Sequence, residues 1–162
     1  MVILDSPMAE LSEAALTRFL ARAKSAAGLR GSVSVLITSS RELRSLNQRF
    51  RRKNRTTDVL SFPPLVTNHD FAGDVAISLE IAAENARLLG HTTVDELKIL
   101  ILHGVLHLAG YDHETDGGQM KRRESRLRKK LGLPSGLIER SEDPAVNARR
   151  KNRTRRRSRS VR

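Results

Sequence analysis

Three histidines in a short stretch are the residues of this sequence best suited to chemistry. Residues 103–113 are HGVLHLAGYDH, so His103 and His107 are four residues apart and His113 follows shortly after a glycine. Residues four apart on a helix lie on the same face, where two imidazoles can hold one ion. Three neutral nitrogen donors leave a fourth position for water, as in catalytic zinc sites. The spacing therefore predicts one Zn²⁺ ion bound by His103, His107 and His113.

The alternative is that His103 and His107 are hydrogen-bonded core residues and that His113 is a loop residue. The clustering disfavours it, because three of the five histidines of the chain fall in this one stretch. Gly110 also stands between the second and third histidines, where it can end the helix and let the chain turn back. His69 and His91 lie in polar contexts, and we expect both to be ordinary loop residues.

Hydrolysis is the predicted reaction class, because a bound cation lowers the pKa of water towards ~7 and polarises a phosphoryl or carbonyl oxygen. Zinc endopeptidases use a similar HExxHxxGxxH pattern, in which a glutamate after the first histidine accepts the proton of the water. Gly104 occupies that position here, which weakens but does not exclude a peptidase. Asp112 and Glu114 are candidates for the base or for a hydrogen bond to a ligand. The alternative is that both are solvated loop carboxylates.

Two basic segments suggest a polyanionic partner. The loop FRRKNRTT contains Arg51 and Lys53, which we predict to contact the substrate, although a solvated loop is the alternative. An arginine near a hydrolytic metal can bind phosphate oxygens with both arms of its fork and stabilise charge in the transition state. Residues 147–162 contain nine Lys or Arg and no acid, which suits nonspecific contact with RNA or else a solubilising extension.

Composition favours a single domain with an aliphatic core, since 162 residues include 38% hydrophobic but 3% aromatic side chains. The absence of cysteine excludes thiolate ligands and fits a reducing compartment. The net charge of +12 is concentrated near the end, because the first 146 residues carry 21 basic and 18 acidic side chains. No apolar run reaches the ~20 residues of a membrane span, and no signal-peptide pattern is present. We expect a cytoplasmic protein without membrane contact.

Hydrophobic periodicity predicts the elements that would position these residues. The expected helices are 12–27, 39–50, 79–89, 94–109 and 116–131, and the expected strands are 2–4, 32–38, 58–63 and 74–79. Helix 94–109 is apolar on nearly all sides and should be central, beginning at a capping box of Thr93 and Glu96. The order predicts an α+β fold, in which helices pack a small mixed β-sheet and a central buried helix carries the histidines. One domain is expected over residues 1–140, followed by a disordered arginine-rich tail at 141–162.

Four segments resemble one known family. HGVLHLAGYDH is similar to the HGxLHLxGYDH signature of the YbeY endoribonuclease family, also called the rRNA maturation factor family. LNQRFRRKNRTTDVLSFP (46–63) resembles its LNxxFRxKxxxTDVLSFP block, and GDVAIS (73–78) resembles its GDIxIx strand. Met120 and Glu124 fall where the last helix of the family has its Met and Glu. The resemblance covers roughly residues 2–135 and does not include the arginine-rich tail.

The resemblance implies a single α+β domain, a zinc ion held by the three histidines and a functionally important arginine at Arg51. It further implies single-strand-specific cleavage of RNA, maturation of ribosomal RNA (notably the 3′ end of the small-subunit RNA) and ribosome quality control. The favoured hypothesis is thus a zinc-dependent endoribonuclease acting on ribosomal RNA, with Arg51 and His103 as catalytic residues. The alternatives are a zinc metallopeptidase and a non-catalytic, ribosome-associated RNA-binding protein with a structural metal.

Overall fold

The computed structural model describes residues 1–5, 12–52, 54, 57–66 and 70–134. Across these residues the elements are, in chain order, β1 (Val2–Leu4), α1 (Glu13–Ala27), β2 (Ser32–Thr38), α2 (Ser40–Arg51), β3 (Val59–Phe62), β4 (Phe71–Ser78), α3 (Leu79–Leu89), α4 (Thr93–Leu108) and α5 (Gln119–Leu131). The predicted α+β class is confirmed. The bounds shift most at the starts of β4 and α5.

The four strands form one mixed sheet in the order β1-β2-β4-β3. β1, β2 and β4 run parallel, and β3 pairs antiparallel with β4 at the edge of the sheet. Alternate side chains of β4 point to opposite faces, as the pleat requires. Val75 and Ile77 join the large aliphatic core, whereas Ala76 packs with Leu43 of α2 and Leu60 of β3. The sheet is therefore buried on both faces, between α2 on one side and α1 and α4 on the other.

Helix α4 lies at the centre of the molecule and confirms the predicted buried helix. Every residue from Glu96 to Leu106 except Lys98 is buried. The helix packs against α1, α3 and α5 and against strands β3 and β4. Because neighbours cover it on nearly all sides, its sequence is apolar nearly all round. Both spaced histidines consequently start from a fixed backbone.

The start of α4 differs from the predicted capping box. Thr92, and not Thr93, is the N-cap, and its Oγ1 accepts a hydrogen bond from the backbone N–H of Asp95 at 3.0 Å. Asp95 takes the partner position of the capping box, since its Oδ2 accepts a hydrogen bond from Oγ1 of Thr92 at 2.7 Å, and Glu96 is fully buried with its Oε2 2.7 Å from Nε2 of His91. His91 therefore tethers the loop before α4 to the helix, a role that its polar sequence context does not indicate.

Helix α5 begins at Gln119 because Asp116 stands outside it as a cap. The Asp116 carboxylate accepts hydrogen bonds from the backbone N–H groups of Gly118, Gln119 and Met120, at 2.9, 3.1 and 2.7 Å. The prediction that this helix starts at 116 is thus wrong by three residues. Asp116 supplies the negative charge that the first turn itself lacks.

Some predictions fall on residues outside the described ranges. These are the domain boundary at 140, the arginine-rich tail at 141–162, Lys53 and His69. They stay predictions. Across the described helices, no segment is long and apolar enough to span a membrane.

Candidate metal centre and cleft

Helix α4 presents His103 and His107 from one face, as their four-residue spacing predicts. Their Nε2 atoms face each other at 3.1 Å, and their ring centroids are 4.8 Å apart. His103 is buried and His107 is half-buried, so the pair lies at the edge of the core. Two ring nitrogens therefore point to one position at the surface end of the helix.

His113 joins this pair through a tight turn after α4. The helix ends at Leu108, and Gly110 adopts a φ of 91°, a left-handed conformation that favours glycine. The chain then turns back and places the ring of His113 5.3 Å from that of His103 and 5.4 Å from that of His107. Each ring offers one nitrogen to this group, and the three nitrogens all lie within 4.8 Å of one another. They can therefore hold a metal ion.

Glu124 of α5 fixes the orientation of the buried histidine. Its Oε1 lies 2.9 Å from Nδ1 of His103, and both side chains are almost completely buried. A carboxylate partner places the proton on Nδ1, so the lone pair of His103 is on Nε2, towards the other two rings. Glu124 is thus positioned to set the tautomer that a metal ligand requires.

His107 is held in its neutral form. Burial lowers its pKa from 6.5 to about 4, and the neighbouring His103 and His113 lower it in the same direction. Asp112 and a hydrogen bond with the Tyr111 backbone act weakly in the opposite direction. A neutral imidazole has the free lone pair that metal coordination needs. The surroundings of His107 therefore favour the ligand form at neutral pH.

A cavity of about 480 Å³ opens beside the three histidines. Arg51, the last residue of α2, lines it together with the three rings, although some fifty residues separate them in sequence. The cavity thus joins the predicted metal ligands to the predicted phosphate-binding arginine. Its remaining walls come from α2, from β3 and the residues just before it, from α4 and from the loop after α4, through residues that include Asn47, Thr57, Asp58, Ser61, Tyr111, Asp112 and Glu114.

Asp112 and Glu114 both line the cavity, but they differ in what their side chains do. The Asp112 carboxylate accepts hydrogen bonds from the backbone N–H of Glu114 and from Oγ1 of Thr115, at 3.1 and 3.0 Å. These bonds lower the pKa of Asp112 below its usual value. Asp112 is therefore a weak proton acceptor that orders the loop around His113. Glu114 is exposed at the rim of the cavity.

Three further cavity residues were not predicted from the sequence. Asn47 of α2 is buried, and Thr57 and Asp58 precede β3. All three fall within the segment 46–63 that also contains Arg51. Their position in that one segment is the signal that could have identified them, whereas their residue types alone do not distinguish them from ordinary loop and cap residues.

Packing against the sheet explains the glycine at position 104, which the comparison with the peptidase pattern does not. A Cβ atom at this position would lie 2.7 Å from Cγ1 of Val75 and 3.3 Å from Oγ of Ser61. Ser61 also donates a hydrogen bond to the backbone carbonyl of Gly104 at 3.4 Å. The glycine lets α4 approach the sheet closely. Position 104 faces the sheet, so a glutamate there would have to displace the side chains of Val75 and Ser61.

Comparison with known proteins gives a consistent result. The family described as Endoribonuclease YbeY matches residues 3–132. A relative from Koribacter versatilis, named Endoribonuclease YbeY, is 60% identical over 148 residues, which is 91% of this chain and 96% of the relative. A relative of the same name from Solibacter usitatus is 50% identical over 132 residues, or 82% of this chain and 88% of the relative.

One solved structure has a similar fold. The solution structure of a Thermotoga maritima protein superposes with a TM-score of 0.55 at 30% sequence identity. The match covers 81% of this chain and 89% of that protein.

Proposed function

The chain belongs to the endoribonuclease YbeY family, and on that premise we propose that it is a zinc-dependent endoribonuclease that cleaves single-stranded RNA. The observation that supports this most strongly is that one cavity brings three converging histidines together with Arg51. The first group suits a hydrolytic metal, and the second suits the anionic backbone of RNA.

The donor set fits Zn²⁺. Two nitrogen ligands at 2.0–2.1 Å from a tetrahedral ion are about 3.3 Å apart, and the Nε2 atoms of His103 and His107 are 3.1 Å apart. Glu124 orients the His103 ring with Nε2 towards the other two histidines, and the low pKa of His107 keeps the lone pair of that ring available. When bound, the ion would supply Lewis acidity, which makes a water molecule more acidic and polarises a phosphoryl oxygen. We propose His103, His107 and His113 as its ligands.

Arg51 is proposed to hold the scissile phosphate. A guanidinium offers paired N–H donors that match two non-bridging phosphate oxygens, and it remains charged at any physiological pH. Cleavage of a phosphodiester adds negative charge to these oxygens, so their attraction to Arg51 strengthens in the transition state. Lys53, two residues further on, is proposed to contact the RNA backbone as well.

Glu114 is the better candidate for the base. The carboxylate of Asp112 is engaged by the loop and has a lowered pKa, both of which reduce its tendency to take a proton. Glu114 lines the same cavity from the exposed side of the loop. We therefore assign proton transfer to Glu114 and positioning of the His113 loop to Asp112.

The packing around Gly104 argues against the peptidase alternative. A peptidase of the HExxH type needs a carboxylate immediately after the first histidine. Here that position faces Val75 and Ser61 and leaves no room for a side chain. The basic residue in the cavity also fits a phosphodiester better than an uncharged peptide bond.

The biological role that we propose is maturation of ribosomal RNA, including the 3′ end of the small-subunit RNA, together with ribosome quality control in the cytoplasm. The relatives named as endoribonucleases support RNA as the substrate class. The arginine-rich tail at 141–162 is proposed to be disordered and to add nonspecific contact with the RNA of the ribosome.

The direct test of the cleft is the variant Arg51→Ala. We expect kcat for a single-stranded RNA to fall by about a hundredfold, while zinc content stays unchanged. Arg41→Ala is the matched control, because Arg41 is exposed at the other end of α2 and does not line the cavity. Cleavage that is equally fast in both variants would contradict the role of Arg51.

A further inference from the structure

The outer side of α5 forms a basic groove that shares no residue with the cleft. Arg122, Arg126 and Lys129 are exposed and follow one another at intervals of four and three residues, so they lie on one face of the helix. With Lys121 and Ser125 they line a concave surface of about 500 Å³, which we call the α5 groove. Four of its five side chains are cationic and none is acidic.

These charges oppose the stability of the helix that carries them. The first turn of α5 contains no acid of its own, and Lys121 and Arg122 lie close to the positive end of the helix dipole, which the Asp116 carboxylate offsets only in part. Arg122 and Arg126 are four residues apart, where like charges repel. Residues that cost local stability are expected where a ligand offsets the cost. A concentrated negative charge bound along the groove would do so.

The acidic residue of α5 and the basic residues of the groove lie on different sides of the helix. The helix has seven basic residues and a single acid, Glu124, which points inward to His103. The residues that line the groove include no carboxylate. The same helix thus supports the metal centre with its inner side and presents cations on its outer side.

The groove is connected to the cleft through the chain. Gln119, the first residue of α5, follows the loop of His113 after only five intervening residues. On the proposed function, a long polyanion is the kind of ligand that could contact both surfaces. A short one would remain within the cleft.

We propose that the α5 groove is a second binding surface for the sugar–phosphate backbone of RNA, outside the cleft where cleavage takes place. This inference rests on the proposed function for the identity of the polyanion. The groove has no aromatic residue, so it offers no stacking platform for bases and would bind without sequence preference. Its role is to raise the affinity for long RNA.

The test compares two full-length triple variants with the unaltered protein. The groove variant is Arg122→Gln, Arg126→Gln and Lys129→Gln. The control variant is Arg18→Gln, Arg22→Gln and Arg87→Gln, which removes the same charge from exposed positions on α1 and α3. The dissociation constant for a single-stranded 30-nucleotide RNA is measured between 50 and 300 mM salt. Cleavage is measured on the same RNA and on a tetranucleotide.

For the groove variant we expect binding to the long RNA to weaken roughly tenfold to a hundredfold at low salt. The slope of log K against log salt should fall by about two, since each lost phosphate contact removes ~0.7. KM for the long RNA should rise while kcat for the tetranucleotide stays the same. The control variant should retain most of the affinity and the slope of the unaltered protein.

Two results would overturn the inference. One is a groove variant that binds long RNA as tightly as the control variant, in a protein that cleaves RNA normally; the proposed function would then stand alone. The other is loss of binding to vesicles containing 30% phosphatidylserine with RNA affinity unchanged, which would assign the groove to an anionic membrane. If the unaltered protein cleaves no RNA, the proposed function fails, and the binding data still decide the role of the groove.

Discussion

At the scale of single residues, the surroundings of His103 and His107 prepare the proposed metal site. His103 is buried against Glu124, and the 2.9 Å contact places its proton on Nδ1. His107 is kept neutral by burial and by its two neighbouring rings. Both effects are present without a bound ion, so the protein itself orients the nitrogen lone pairs of His103 and His107. The burial of these polar side chains costs free energy. Removing either effect should weaken metal binding without removing a ligand.

Glu124→Gln tests this preorganisation. The amide keeps the shape of the side chain but removes its negative charge, so Nδ1 of His103 loses its carboxylate partner. We expect zinc affinity to fall roughly 10- to 100-fold, as measured by competition with a chromophoric chelator. Glu42→Gln, an exposed carboxylate on α2, is the control and should bind zinc normally. Equal affinities of the two variants would show that Glu124 does not act on the ligand.

The low pKa of His107 predicts how the stability of the metal-free protein depends on pH. Its folded pKa of about 4 lies below the value of 6.5 in the unfolded chain, so the unfolded state binds more protons between these values. The contribution of His107 to the free energy of unfolding is therefore full above pH 6.5 and declines as the pH falls towards 4. Urea titrations of chelator-treated protein across this range should show the decline. His107→Asn should reduce it, and an unchanged pH dependence would contradict the assigned cause.

At the scale of elements, α4 is fixed by its contact with the sheet. Gly104 lies against Val75 of β4 and Ser61 of β3, so the helix backbone approaches the strands more closely than a side chain would allow. This contact positions His103, one residue before the glycine, and His107, three residues after it. A change in the distance between α4 and the sheet would move both imidazole rings.

Gly104→Ala should therefore destabilise the fold although alanine is the better helix former. The new methyl group would lie 2.7 Å from Cγ1 and 2.9 Å from Cγ2 of Val75. We expect the free energy of unfolding in urea to fall by about 1–3 kcal/mol. Adding Val75→Ala removes the clashing methyl groups, so the double variant should lose less than the sum of the two single losses. Strictly additive losses would mean that the contact of Gly104 with Val75 does not determine how closely α4 approaches the sheet.

The elements themselves follow closely from the sequence, because periodicity reports which sides are buried. The continuous apolar stretch of α4 predicted a central helix, and the alternation in β2 predicted a strand with the same bounds as those found. The N-cap residues were harder to predict from the sequence. Thr92 and Thr93 are adjacent and chemically equal, and the N-cap is Thr92, whose side chain pairs with Asp95. Thr92–Asp95 and Thr93–Glu96 both have the spacing of a capping box, so the sequence pattern alone does not choose between them.

At the scale of the whole molecule, the cleft forms where four parts of the chain meet. The end of α2 brings Arg51, the segment before β3 brings Asp58, and α4 with its following loop brings the histidines. The histidine grouping could be predicted because a helix and one turn contain it. The pairing of Glu124 with His103, from residues 21 apart on different helices, could not be predicted from spacing. It requires the packing of α5 on α4.

The measurement that tests the central claim most directly is RNA cleavage as a function of bound zinc. The protein is stripped with a chelator, dialysed and titrated with Zn²⁺, and zinc content and cleavage of single-stranded and duplex RNA are followed in parallel. We predict that cleavage of single-stranded RNA is lost on stripping and returns in proportion to zinc, reaching its maximum at one ion per chain. His103→Ala should neither bind that ion nor recover activity. Full RNA cleavage by the stripped protein, or a zinc-loaded protein that leaves RNA intact, would contradict the account.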